Sequence, residues 1–368
     1  MSILHQPILS IDQDRDNFAS RLFEDALGAF NIFSIHIGHQ LGFYRALAGT
    51  GGLTTHDLAI RTGTHERYVR EWLEQQAATC ILDVENHTNS GTERRYSLSP
   101  GKAEVLVDQD SLNYLTPLAQ SVVGSIKPMD ALLQAYRNGG GVRFSEYGVD
   151  LREGQASMKR PMFLQQLGQE WLPQVSDVHT RLQADPPARV ADIGCGGGWS
   201  CIGIANSYPR VRVDGYDLDE ASVELAQSNI QAAGLGERVS VSLRDASNPE
   251  LKGHYDLVVA FECLHDISDP VGALRTMRGL AGEHGTVIIM DERALEEFQP
   301  CAETLEKLFY GFSILHCLPV GMADQPSAAT GTVMRPGTME RYATEAGFNR
   351  VEILPIDHFF FRFYRLAG

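Results

Sequence analysis

The chain has 368 residues, of which 43% are hydrophobic and 21% charged, a size and balance that suit two globular domains better than one core. The 47 acidic residues against 31 basic ones leave a net charge of −16, a field that repels nucleic-acid phosphates and anionic membranes. No apolar run reaches about 18 residues, so no membrane span is expected, and the start MSILHQPILSIDQDRD lacks the features of a signal peptide.

In chain order, the first half reads as helical. Thr54 followed by Asp57 three residues on is a capping-box pattern, and Gly63 closes that helix. Thr64 is the expected cap of the next helix, where Tyr68, Val69, Trp72, Leu73 and Gln76/Ala77 recur at helical spacing. Two short strands, Cys80–Glu85 and Arg95–Leu98, flank a polar turn, completing a winged-helix arrangement. From Leu53 to Pro100 there are five basic residues against seven acidic ones, with Glu66, Glu71 and Glu74 on the helix that would read DNA. Phosphate neutralisation supplies most nucleic-acid affinity, so the expectation is no nucleic-acid partner and a dimerising role that makes the protein a homodimer.

The pair Pro186-Pro187 marks the domain boundary, giving a helical and winged-helix domain over 1–185 and an α/β domain over 186–368. In the second, the candidate strands are Val190–Ile193, Val211–Asp217, Val239–Leu243, Tyr255–Phe261 and Thr286–Met290, alternating with helical patterns. Val351–Ile356 and Phe359–Leu366 are too close for a crossover and predict an antiparallel hairpin. The fold class is therefore α/β, a Rossmann-like sheet of seven strands, five parallel plus the C-terminal hairpin. The cysteines at 80, 195, 201, 263, 301 and 317 show neither CxxC nor zinc spacing, so reduced core thiols, no metal and a cytoplasmic location are expected.

Val190-Ala-Asp-Ile-Gly-Cys-Gly-Gly-Gly places a glycine-rich turn between a strand and a helix that starts near Trp199, where backbone N–H groups meet a ligand. A pyrophosphate site would favour G-x-G-x-x-G. Here Asp192 precedes the first glycine, a charge that suits a ligand bearing an ammonium. The next two strands end in Gly215-Tyr-Asp217 and Arg244-Asp245-Ala246, so Asp217 can accept from a ribose and Asp245 from an adenine amine, with Leu218 against the adenine face.

The segment Val190–Glu292 resembles the class I S-adenosylmethionine-dependent methyltransferases, whose D-I-G-C-G-G-G, G-Y-D, R-D-A and Y-D-L-V-V-A-F-E-C-L-H-D blocks it carries in order. The winged-helix half is similar to that of plant-type small-molecule O-methyltransferases. The blocks G-F-S-I-L-H-C-L-P and S-A-A-T-G-T-V-M-R-P resemble a bacterial winged-helix subgroup. The resemblance implies S-adenosylmethionine as cofactor, S-adenosylhomocysteine as product, Gly194 and Gly196 beside the methionine part, and Ala246 in the adenine-side block. It also implies Phe261 beside the sulfonium and a small-molecule methyl acceptor.

For a hydroxyl acceptor the resemblance points to His265 as general base, although Ile267 stands where the plant-type enzymes usually have Trp; the alternative is that His265 holds a turn or Asp266. His316 and His179 are lesser candidates. Arg143, Tyr147, Phe163, Trp171 and Phe309 are expected around the acceptor, along with His316, and Met322–Thr332 reads as a lid. A sulfur acceptor, a regulator that senses S-adenosylmethionine through the winged helix, and a non-methylating reaction are the rival readings.

Overall fold

The alternation of β-branched runs with helices builds a seven-stranded sheet in the computed structural model, which describes residues 10–248 and 250–368. The leaderless reading of the N-terminus falls mostly on residues 1–9, outside the described residues. By contacts the chain forms two compact units, one of residues 10–108 with 113–119, the other of 109–112 with 120–368.

In the first unit, Thr54 and Asp57 form the capping box of the helix Thr55–Thr62, and Gly63 ends it in the left-handed region. The following helix, Glu66–Ala78, is capped by His65, whose Nδ1 accepts from the Arg67 N–H, so the cap lies one residue beyond Thr64. Val69, Trp72, Leu73 and Gln76 face inward, whereas Tyr68 is exposed. Strands β1 (Asp83–Glu85) and β2 (Arg95–Ser97) pair antiparallel, and Leu53 adds an isolated antiparallel bridge to Tyr96. The wing strand begins at Asp83 rather than Cys80, because Cys80 turns with positive φ and Ile81 and Leu82 donate back to the Gln76 carbonyl. The helix Ile11–Gln40 leaves Phe18, Leu22, Phe23, Leu27 and Phe30 exposed.

In the second unit the strands are β3 (Arg189–Ile193), β4 (Arg212–Asp217), β5 (Val239–Leu243), β6 (Leu257–Phe261), β7 (Thr286–Glu292), β8 (Arg350–Ile353) and β9 (Phe361–Ala367). Their order is β5-β4-β3-β6-β7-β9-β8. The first five are parallel, and β9 lies antiparallel to both β7 and β8. Both β6 and β7 are buried along their whole length, as expected of strands covered on two faces. Helices between residues 120 and 183 pack with this sheet. The chain crosses from the β3–β4–β5 side to the β6–β7 side after β5, so the carboxyl ends of β3 and β6 open a crevice at the switch point. Among the described residues, no helix is long and apolar enough to cross a membrane.

Candidate active site

The crevice begins with the glycine turn. Gly194, Gly196 and Gly198 have φ of +65°, +51° and +76°, a region that other residues enter only with strain. A Cβ on Gly194 would also stand 2.7 Å from Cys263 Sγ. Gly194 donates to the Tyr216 carbonyl at 2.8 Å, and Gly196 donates to Asp217 Oδ2 at 2.8 Å. Asp217 Oδ1 accepts from the Asp219 N–H at 2.9 Å, so the carboxylate is fixed between two strand ends. Burial raises its pKa, and the two N–H donors oppose that shift. Helix Trp199–Ser207 starts directly after the turn and aims its first N–H groups into the opening.

A cavity of about 890 Å³ occupies the crevice. Gly194, Gly196, Asp217, Leu218, Asp245, Ala246 and Phe261 all line it, as does Asp266. Leu218 keeps 63% of its surface exposed there, open to a flat apolar partner. Asp245 accepts from the Ser247 N–H at 2.8 Å, and the Phe163 and Phe261 rings meet with centroids 5.7 Å apart. The glycine turn thus lets a ligand approach the backbone closely while the two aspartates offer it carboxylates, a fit for a nucleoside carrying an amino acid.

Asp192 lies outside this lining. It is 1% exposed, and its Oδ2 accepts from Ser200 Oγ and Cys201 Sγ at the start of the helix. Burial pushes its pKa up to about 6, against the hydrogen bonds from Ser200 and Cys201. The side chain therefore ties the turn to its helix instead of facing the cavity.

His265 is also enclosed. It sits in the turn Leu264–Asp266, is 2% exposed and does not line the cavity. Its Nδ1 lies 2.6 Å from Asp291 Oδ1 and 3.1 Å from Glu292 Oε2, and its Nε2 lies 3.3 Å from Asp266 Oδ1. Burial alone would lower its pKa, but Asp291, Glu292 and Asp266 overcome that and hold it well above the ordinary value. Burial raises Glu292 well above the usual carboxylate range, while the neighbouring imidazolium lowers Asp291 despite its burial. Both ring nitrogens thus face carboxylates, and the ring is enclosed behind the cavity lining rather than open to it.

Of the expected acceptor residues, Arg143 and Phe163 line the cavity; Arg143 is exposed and pairs with Asp324 at 3.2 Å. Tyr147, Trp171, Phe309 and His316 are core residues instead. Tyr147 donates to the Leu315 carbonyl at 2.8 Å, Trp171 packs on Phe363, and Phe309 packs on Phe360. His316 is wedged beside Tyr147 and Phe144, and burial lowers its pKa to about 4. Large side chains of this kind gain more from full burial than from a cavity wall. His179 hydrogen-bonds Tyr208 at 2.8 Å, away from the cavity. The segment after Met322 does reach the cavity through Ala323–Ala328, pinned by the Ala328 N–H on the Ser268 carbonyl at 2.9 Å.

Sequence reading missed one wall. The helix Gly148–Met162 presents Arg152, Gln155, Ala156 and Lys159 to the cavity, at the three- and four-residue spacing that makes one face. Arg152 binds Asp219 through Nε at 2.6 Å, and Lys159 pairs with Glu262 at 3.0 Å. That spacing of long polar residues on a helix placed before a ligand-binding sheet was the available signal.

Residues 184–323 match the family described as methyltransferase domain, and residues 29–108 match the Rv2258c-like winged HTH domain. The methyltransferase-domain match covers less than half of the chain. Norajmaline N-methyltransferase of Rauvolfia serpentina is 34% identical over 121 residues, 33% of this chain and 41% of the relative. The ubiquinone biosynthesis O-methyltransferase of Nitrosospira multiformis is 27% identical over 183 residues, 50% of this chain and 70% of the relative. The chain spans less than half the length of the first curated relatives it matches. Among solved structures, mitomycin 7-O-methyltransferase MmcR superposes with a TM-score of 0.70 at 19% identity, over 97% of this chain and 99% of that one. Human N-acetylserotonin methyltransferase with S-adenosylmethionine gives 0.65 at 17% identity, over 100% of both chains. The fold of the chain is thus the one these two structures share.

Proposed function

We propose that the chain transfers a methyl group from S-adenosylmethionine to a hydroxyl of a small-molecule acceptor and releases S-adenosylhomocysteine. The observation that carries this reading is the left-handed glycine turn locked by its own N–H onto Asp217 beneath an open cavity. When bound, S-adenosylmethionine supplies an electrophilic methyl on a sulfonium. Gly194 and Gly196 would cradle its methionine part, Asp217 accept from its ribose, and Asp245 accept from its adenine amine. Leu218 and Ala246 would cover the adenine, and Phe261 would stand by the sulfonium.

The protein's main work in such a displacement is to position the acceptor and keep water out. Phe163, Arg143 and the 323–328 segment are the walls available for that. Domain roles follow the same line, with 186–368 holding the donor and 1–185 supplying part of the acceptor wall and the dimer contact. The relatives include N- and O-methyltransferases, and the O-methyltransferases among the full-length structural neighbours favour oxygen. His265 fits a positioning role, clamping the turn that sets Asp266 into the cavity. Asp192 fits a role in fixing the turn through Ser200.

We further propose a homodimer through the helix Ile11–Gln40. Its 30 residues, about 45 Å long, carry an exposed apolar face that water disfavours. Sedimentation of the wild type and of Phe23→Glu tests this: a dimer that becomes a monomer supports it, and a monomeric wild type removes it. A cytoplasmic setting suits the six free cysteines.

The direct test of the activity offers methyl-labelled S-adenosylmethionine with mixed phenols, carboxylic acids, thiols and thioethers. Label on an oxygen supports the proposal; label confined to sulfur moves the acceptor class; an absence of donor binding removes the reading.

A further inference from the structure

Glu262 immediately follows β6, at the carboxyl end of the strand that borders the switch point. Its φ is +55°, a left-handed conformation that costs an ordinary residue about 1–2 kcal/mol. Strain of this kind persists only where the surroundings enforce it, and it clusters at functional sites. Here the Glu262 N–H donates to the Met290 carbonyl at 2.7 Å, holding the bend against β7. The bend turns the carboxylate into the cavity wall, where its side chain is 11% exposed.

Lys159 reaches it from the helix Gly148–Met162, with Nζ 3.0 Å from Oε2 and a side chain 15% exposed. Both residues line the same cavity as Gly194 and Phe261. A nearly dry carboxylate and ammonium on a cavity wall are costly to hold there without a partner of use. The charged groups facing the pair are His265 and Asp266 on the next turn and Asp291 and Glu292 at the end of β7.

We infer that Glu262 is the residue that takes the acceptor's hydroxyl proton, with Lys159 as the positioning residue that keeps its carboxylate ionised. This rests on the methyl-transfer reading and goes further by assigning the base. The acceptor is a neutral phenol-type hydroxyl, which a carboxylate can hold by a hydrogen bond. In the step, the acceptor oxygen forms a bond to the methyl carbon and the carbon–sulfur bond breaks with its electron pair left on sulfur. The hydroxyl proton passes to the Glu262 carboxylate, and Lys159 remains charged throughout. Burial raises the Glu262 pKa and Lys159 opposes that shift, so the group is a stronger base than an exposed carboxylate.

The test compares acceptors that need a base with one that does not. Wild type, Glu262→Gln and Lys159→Met are assayed at about pH 8 with labelled S-adenosylmethionine, using phenol, 4-methylphenol and the largely ionised 4-nitrophenol. Calorimetric affinity for S-adenosylhomocysteine and thermal melting accompany each variant, as does the absorbance spectrum of bound 4-nitrophenol. The expected result is a loss of about 100-fold or more with the two weakly acidic phenols in Glu262→Gln. The same variant should lose only a few-fold with 4-nitrophenol and keep its S-adenosylhomocysteine affinity. Its bound 4-nitrophenol should shift toward the phenolate band, since Lys159 is then unpaired. In Lys159→Met the acid limb of the rate profile should move to higher pH, because the carboxylate loses its cation.

Equal losses for all three phenols, or no loss, would overturn the assignment. If Glu262→Gln fails to fold, the direction of the Lys159→Met limb decides. A wild type that binds the donor but labels none of the phenols, or labels only thiols, overturns this inference and leaves the donor site standing. A wild type that binds no donor overturns the methyl-transfer reading itself.

Discussion

The two walls of the cavity are built by different means. On the side of β3 and β4 the groups are backbone ones, three glycines in left-handed conformations and N–H groups that fix Asp217. On the side of the helix Gly148–Met162 and the ends of β6 and β7, the groups are charged side chains in pairs, Arg152 with Asp219 and Lys159 with Glu262, with the pair His265–Asp291 buried outside the lining. The first wall is a fixed mould that tolerates little change in shape. The second is a network whose members hold each other's charge state, so altering one changes the chemistry of the rest.

The largest expected effect lies in the charged wall. His265→Ala leaves Asp291 and Glu292 buried without their cation, and unpairing a buried ion costs about 3–5 kcal/mol. Thermal melting should show a drop of many degrees; an unchanged midpoint would mean the cluster carries no net charge. The sign with pH is defined. His265 has a folded pKa above its unfolded one, so its stabilisation is complete below about pH 6.5 and fades as pH rises through the folded value. Glu292, raised well above the usual range by burial, acts in the same direction. Stability should therefore fall on the alkaline side in the wild type, and less steeply in His265→Ala.

In the backbone wall the effects are smaller and more local. Asp217→Ala removes a carboxylate proposed to accept from the donor's ribose, a charged hydrogen bond worth about 1.5–3 kcal/mol, or roughly tenfold to more than a hundredfold in affinity. Asp192→Asn marks the boundary between the walls. It removes a buried charge whose pKa stands at about 6 while keeping an oxygen for Ser200, so stability above that pH should rise by about 1–3 kcal/mol. Donor affinity should change little, since Asp192 does not line the cavity; a large loss there would place its charge at the ligand after all. Gly194→Ala is the smallest change in atoms, with about 1–2 kcal/mol of backbone strain and a methyl 2.7 Å from Cys263 Sγ. Calorimetry should find donor binding weakened ahead of any large loss of melting temperature.

The same contrast explains how much could be read without coordinates. The strand segments, the antiparallel C-terminal pair and the glycine turn are local in sequence, because β-branched runs, short spacings and Gly-Cys-Gly-Gly-Gly each constrain the backbone where they stand. The carboxyl ends of β4 and β5 bring Asp217 and Asp245 to the crevice by the same logic. Lys159 and Glu262 are 103 positions apart and meet only through packing, so no local pattern marks them. His265 is placed correctly in its turn by local sequence, yet its charge is set by Asp291 and Glu292 from another strand. The aromatic residues 147, 171 and 309 carry no mark that separates a core side chain from a cavity wall, and burial took all three.

The measurement that tests the central claim most directly is a calorimetric titration of S-adenosylmethionine into the wild type and into Asp217→Ala. Saturable one-site binding by the wild type, weakened about tenfold or more by the substitution with melting temperature held, is the predicted result. Equal affinity in the two proteins would contradict the assignment of Asp217, and an absence of binding in the wild type would contradict the donor site as a whole.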